Sequence, residues 1–280
     1  MLFSMNDKLK LWNPSTSWAE AEKKWEEGKQ LAQSTHPIKT LTTLPQMPGI
    51  AERFIKWKSV LYLIFNDPQK VFPRYFFKHP FTYSWRWIRS ACKKKSYTRD
   101  GDFFLYNIDS VEQFKQQLTE KNTLFVLGFS YCHKPFECPS GRFTSECIHD
   151  ASHPTCRQCF IGKAMNALPE GPHVPLFIPT IHYIGEQLFE LVERHPDKKI
   201  YFLITACEMT LEMFGDWGNM LNIHGIGVRL DGRICNTMRA FELSERGIKP
   251  GLTVVLDPTQ QRMLDIIQVL HDNGACGEKA

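Results

Sequence analysis

Residues 123–129, TLFVLGF, form a continuous apolar run between Asn122 and Ser130. A run this short and this apolar has the pattern of a buried strand. Residues 199–206, KIYFLITA, read the same way. So do residues 174–179, VPLFIP, although Pro175 and Pro179 weaken that strand. Between the last two, Ile181, Ile184, Leu188, Leu191 and Val192 recur at helical spacing across Ile181–His195. Upstream, Asp102–Ile108 reads as a strand, and Asp109 as the cap of a helix that reaches about Glu120. Downstream, Gly225–Leu230 and Leu252–Asp257 read as short strands, and Asn236–Arg246 and Pro258–His271 as helices. Strands alternating with helices predict an α/β domain over residues 100–280, with a mainly parallel sheet and helices on both faces.

The first 99 residues have a different character. Ser17–Gln33 reads as a helix that opens on a capping box, and His36–Gly49 as a proline-rich linker. Residues 50–99 carry twelve Lys and Arg against Glu52 and Asp67, a net charge of +10 in a chain whose total is +4. The same stretch is rich in Phe, Tyr and Trp, and Pro68, Pro73 and Pro80 divide it into short pieces. A helical, basic and aromatic N-terminal region is therefore expected ahead of the α/β domain. Ala51–Phe65 can form a helix with Phe54, Trp57, Leu61 and Ile64 on one side and cations on the other, which suits an anionic membrane surface. Single-stranded nucleic acid is less favoured, since no recognised nucleic-acid motif is present. The third option is internal docking of the basic segment on the acidic remainder.

The chain has 280 residues, 42% of them apolar and 23% charged, so it is globular rather than disordered. Met1–Lys10 lacks the basic start and apolar run of a secretory peptide. The longest wholly apolar run in the first half is Val60–Phe65, far short of a membrane span. The expectation is a cytoplasmic protein, peripheral on the cytoplasmic membrane face, with reduced cysteines and no disulfide framework.

Five of the nine cysteines, Cys132, Cys138, Cys147, Cys156 and Cys159, lie within residues 132–159. Reduced thiols crowded in this way point to metal binding or catalysis. Cys92 and Cys276 read instead as ordinary packing residues. Ligands of open α/β sheets bind beyond the carboxyl ends of the strands. Cys132 follows the strand 123–129 by three residues, Cys207 directly follows 199–206, and Cys235 lies five residues past 225–230 and just before a helix. In a parallel sheet all three fall on one rim. A helix N-terminus there favours the thiolate form. Cys156-Arg-Gln-Cys159 has the gap that lets two sulfurs reach one metal or cluster. Its loop position separates it from a thioredoxin-type pair.

Zinc commonly pairs thiolates with histidine, and His133, His149 and His153 share the cysteine-rich segment. Seven available cysteines exceed what a structural zinc site needs, and strand-end cysteines suit an iron–sulfur cluster of the 4Fe–4S kind. The expected metal ligands are Cys132, Cys138, Cys147, Cys156, Cys159, Cys207 and Cys235, with zinc as the alternative metal. Glu208 is the candidate catalytic acid or base, with a first-turn helix charge as the competing reading. Asn236 reads as a helix cap, and Ser140-Gly-Arg142 as a surface turn that could hold an anion. The sequence contains no phosphate loop, no Rossmann glycine fingerprint and no serine nucleophile elbow.

The order Cys132-x5-Cys138-Pro139, Cys156-x2-Cys159-x-Ile161-Gly162, Ala206-Cys207-Glu208 and Gly232-x2-Cys235-Asn236-Thr237 resembles the uncharacterised family catalogued as domain of unknown function 116. The resemblance covers about residues 123–245. It implies a cysteine-rich α/β domain that binds metal, with Cys132, Cys138, Cys156, Cys159, Cys207 and Cys235 as the core set. It supplies no activity, and Cys147 departs from the pattern. The functional expectation is a metal-dependent redox protein, oxidoreductase or lyase, acting on a small molecule or an electron-transfer partner. The alternative is a zinc-stabilised interaction module without catalysis.

Overall fold

A computed structural model of the protein describes residues 62–277, apart from 63–64, 68, 93–96, 233, 236–237 and 250. The readings of Ser17–Gln33 and His36–Gly49, most of Ala51–Phe65, and the Asn236 cap lie outside the described residues.

Six strands form one sheet in the order β1 (Thr98–Asp100), β2 (Phe103–Tyr106), β6 (His224–Arg229), β5 (Lys199–Ala206), β3 (Thr123–Ser130), β4 (His173–Ile178). The last four are mutually parallel, while β1 and β2 join antiparallel at one side. Every residue of β3 but the last is buried, as its unbroken apolar sequence requires. β4 is the edge strand, the place in a sheet where Pro175 is tolerated.

Successive residues of the central strands feed two separate cores, one on each face. Val126, Phe202 and Ile204 pack with α6 (Ile181–Arg194) and α7 (Glu208–Leu221). Phe125, Leu127 and Leu203 pack with α3 (Val111–Leu118), α5 (Phe160–Asn166) and α9 (Asp257–Gly277). The result is a three-layer α/β/α arrangement with a mostly parallel sheet, as the alternation of elements predicts.

Among the described residues the basic aromatic segment includes the helices α1 (Val71–Phe76) and α2 (Pro80–Cys92). Their prolines start helices rather than only breaking them. Pro73 lies in the first turn of α1, and Pro80 opens α2. Val71, Tyr75 and Tyr83 enter the same core as α6, and Tyr75 stacks on Phe189 with ring centroids 4.9 Å apart.

Three local readings are corrected. Ser110, not Asp109, caps α3, because its hydroxyl accepts from Gln113 N–H at 3.1 Å. The expected strand Leu252–Asp257 shrinks to β8 (Thr253–Val254), which pairs only with β7 (Asp231–Gly232) in a separate two-stranded sheet. The strand Asp102–Ile108 is β2 alone and runs antiparallel to its neighbour β6. Two further helices are α4 (Pro154–Gln158) and α8 (Met238–Ser244). Between a short 3-10 turn, Tyr131–His133, and α4, residues 134–153 form neither strand nor helix.

Candidate functional site

β3 leads to β4 on one side, and β5 leads to β6 on the other, so the connections diverge between β3 and β5. That divergence opens a crevice at the carboxyl ends of these strands. Cys132 belongs to the core of one face and Cys207 and Cys235 to the core of the other, and they meet over this edge. All three are buried. Cys207 caps α7 and makes a 3.1 Å contact to Thr210 Oγ1. The Cys207 and Cys235 thiols are close enough that each shifts the other's pKa. Lys249 Nζ donates to Cys235 Sγ at 3.2 Å and is itself buried.

The electrostatics divide the pair unequally. The neighbouring Cys207 thiol and the charge of Lys249 hold the Cys235 thiol well below its ordinary pKa, against the effect of burial. The proton stays on Cys207, whose pKa rises through the Cys235 thiol beside it and through burial. The helix N-terminus at Cys207 therefore does not make it the acidic partner. Burial opposes the charge on Lys249, but Cys132, Cys235 and Cys207 raise its pKa. Burial also raises the pKa of Cys132.

Beside these thiols lies a cavity of about 40 Å³, lined by Cys132, Thr180, Cys207, Thr210, Ser244 and Glu245 among others. It has room for a few waters rather than a substrate. Glu245 Oε2 accepts from Ile181 N–H at 2.8 Å at the start of α6, and burial pushes its carboxyl up to about 8. Glu208 does not line this cavity. It is buried against Arg99 Nη1 at 3.0 Å and Arg229 Nη1 at 3.5 Å, and burial raises its pKa despite both guanidinium groups.

The other four expected ligands, Cys138, Cys147, Cys156 and Cys159, form a second set. Cys138 and Cys147 lie close enough to act electrostatically on each other, and both act on Cys156 and on Cys159. Each thiol is pushed up by burial, and each also receives a backbone N–H that favours the thiolate. The donors are Ser140 for Cys138, His149 for Cys147, Asp150 for Cys156, and Ile161 and Gly162 for Cys159. Lys134 is buried beneath the loop. Its Nζ lies 3.3 Å from Gly141 O, 3.0 Å from Thr144 O, 2.9 Å from Thr144 Oγ1 and 2.5 Å from Glu146 O. A Cβ on Gly162 would lie 2.2 Å from Cys156 O, so only glycine lets α5 pass this close to α4.

The histidines are placed differently from one another. His149 is half-buried beside Asn166, and His153 caps α4 by accepting from Thr155 N–H at 3.2 Å. His133 is buried against Phe160, and burial lowers its pKa to about 4. In the turn at Ser140-Gly-Arg142 the guanidinium is engaged by backbone carbonyls. The Arg142 guanidinium donates to Cys132 O at 3.2 Å, Lys134 O at 3.1 Å, Lys249 O at 2.8 Å and Gly251 O at 2.6 Å. It thereby ties the turn after β3 to the loop that carries Lys249. Reading the sequence did not identify Lys249, Glu245 or Arg142 as parts of the site. Each has a partner distant in the chain, Cys235 for Lys249, Ile181 for Glu245 and Gly251 for Arg142, with no local motif to mark it.

Cysteine thiols without a carboxylate among them are a donor set that zinc and iron–sulfur centres take. Among the described residues, however, no three of His, Cys, Asp or Glu are placed to hold a metal ion. The donor chemistry fits a metal, and the side-chain placement does not close around one. Comparison with known proteins places the chain in no group: no family model, no curated protein and no solved structure matches it.

Proposed function

We propose that the protein is a metal-binding α/β protein whose four-cysteine loop holds an iron–sulfur cluster and whose switch-point thiols carry a redox reaction. The observation that carries this reading is the second cysteine set. Four neighbouring thiols, Cys156 and Cys159 buried and Cys138 and Cys147 half-buried, each receive a backbone N–H, an arrangement that favours charged sulfur in a place where burial opposes it. A bound metal removes that conflict by neutralising the thiolates. Cys138, Cys147, Cys156 and Cys159 would hold the group, drawn together around it, and the group would supply one-electron transfer. The resemblance to the cysteine-rich family supports the same assignment for three of the four.

The switch-point residues have separate tasks. Lys249 holds negative charge on Cys235, and Cys207 holds a proton beside it. Glu245, neutral at pH 7, can donate to a small molecule admitted when the cavity widens. The reaction class is a redox or cluster-dependent conversion of a small molecule, or electron exchange with a partner.

A second reading keeps the metal and drops the reaction. The four-cysteine set is local in sequence, as structural zinc sites are, and would fix a loop that has no regular secondary structure. Metal and sulfide analysis of anaerobically purified protein separates the two. Iron with acid-labile sulfide supports the cluster, and its loss in Cys156→Ser assigns it to this loop. One zinc per chain with no visible absorption supports the structural site.

A further inference from the structure

The exposed face of α2 is apolar where a free-standing surface helix would be polar. Phe81, Trp85 and Ile88 follow one another at helical spacing and are 89%, 67% and 55% exposed. Phe77, just before the helix, extends the stripe. The opposite face is occupied: Tyr83 meets Phe189, and Ser90 accepts from Asn219 Nδ2 at 3.0 Å on α7. The stripe is thus held outward by a packed inner face.

The segment that carries the stripe is basic in sequence, although Arg74 pairs with Glu186 at 3.1 Å and Lys78 with Glu193 at 2.8 Å. Between Asp67 and Asp100 the sequence has nine Lys and Arg and no acid. Arg89 is exposed one turn beyond Trp85. On the flank of α2 lies a cavity of about 490 Å³, lined by His79, Arg86, His195, Lys198, Lys199 and His224, with Glu193 as its acid. Among the described residues no helix is long and apolar enough to cross a membrane. Aromatic side chains in a row, with cations beside them and no span, fit a helix that lies in the plane of a bilayer surface. The basic cavity fits the anionic headgroups that such a surface offers.

We propose that α2 docks the protein on anionic membrane, with Phe77, Phe81, Trp85 and Ile88 entering the headgroup layer and Arg86 and Arg89 meeting lipid phosphates. The reading of Ala51–Phe65 as the membrane helix lies mostly outside the described residues, whereas α2 carries the exposed stripe within them. This proposal is independent of any metal.

The test is co-sedimentation of the full chain with vesicles of neutral phosphatidylcholine, or of phosphatidylcholine with one third phosphatidylglycerol, at low and high salt. Binding should require the anionic lipid and weaken with salt. The double change Phe81→Ser with Trp85→Ser should lower partitioning by at least about tenfold, with an unchanged melting temperature. Arg89→Gln should lower it about fivefold at low salt. Equal recovery with both vesicles would overturn the proposal. So would tight binding of a single-stranded oligonucleotide without vesicle binding, which would make the face a nucleic-acid surface. A double variant that melts earlier yet binds vesicles as before would also overturn it, by assigning the stripe to contacts within the chain.

Discussion

Lys249 Nζ lies 3.2 Å from Cys235 Sγ inside the protein. A buried ammonium beside a buried thiol favours the ion pair over two neutral groups, and the Cys207 thiol adds to it. Cys235 should therefore react with a small thiol reagent at a rate nearly independent of pH between 6 and 8. Lys249→Met removes a charge-assisted bond of about 1.5–3 kcal/mol, or roughly one to two pKa units. In that variant the rate should climb with pH across the same range and fall by about twofold to tenfold at pH 6. Mass spectrometry of the labelled peptide reads both.

Arg142 should act on the same thiol from a distance. Its guanidinium joins Cys132 O to Lys249 O and Gly251 O, and a lysine cannot reproduce that fork. Arg142→Lys should shift the reactivity profile of Cys235 toward that of Lys249→Met. A profile unchanged from the parent would show that Lys249 is positioned by other contacts.

Glu245 sets a pH dependence of stability. Its folded pKa is raised from 4.5 to about 8, so the folded state keeps a proton that the unfolded state loses. This contribution is fully present below about 4.5, declines as pH rises, and is gone above about 8. His133 acts in the opposite sense. Its pKa is lowered from 6.5 to about 4, so its contribution is present above 6.5 and is lost as pH falls toward 4. Glu245→Gln should flatten the decline in urea-unfolding free energy between pH 6.5 and 8. An unaltered slope in that variant would mean the carboxyl is ionised in the folded protein.

Gly162 is the tightest backbone contact near the cysteine loop. Gly162→Ala places a methyl group against Cys156 O, and overpacking of this kind costs about 1–3 kcal/mol. The effect should fall first on the spacing of Cys156 and Cys159. Metal content should drop more steeply than melting temperature.

Much of the fold is legible in the sequence because parallel strands buried on both faces cannot hide their apolar runs. Residues 123–130, 199–206 and 224–229 are such strands. The direction of β2 was not legible, since Phe103–Tyr106 is buried at every position and gives no alternation. The rim placement of Cys132, Cys207 and Cys235 followed from strand ends alone. The division of seven cysteines into two sets did not, because it depends on how residues 135–153 fold back over Lys134. The stripe on α2 also escaped the sequence reading. Tyr83 lies among residues of the same apolar kind as Phe81 and Trp85, and only packing against α6 and α7 decides which of them are buried.

The central claim is that the cysteine loop holds an iron–sulfur cluster. The most direct measurement is the visible absorption spectrum of the full-length protein purified without oxygen, with iron, zinc and sulfide quantified in the same sample. Brown protein with broad visible absorption, iron and sulfide in matching amounts, and loss of all three in Cys156→Ser and Cys159→Ser are the expected result. Colourless protein carrying stoichiometric zinc, or carrying no metal at all, would contradict it.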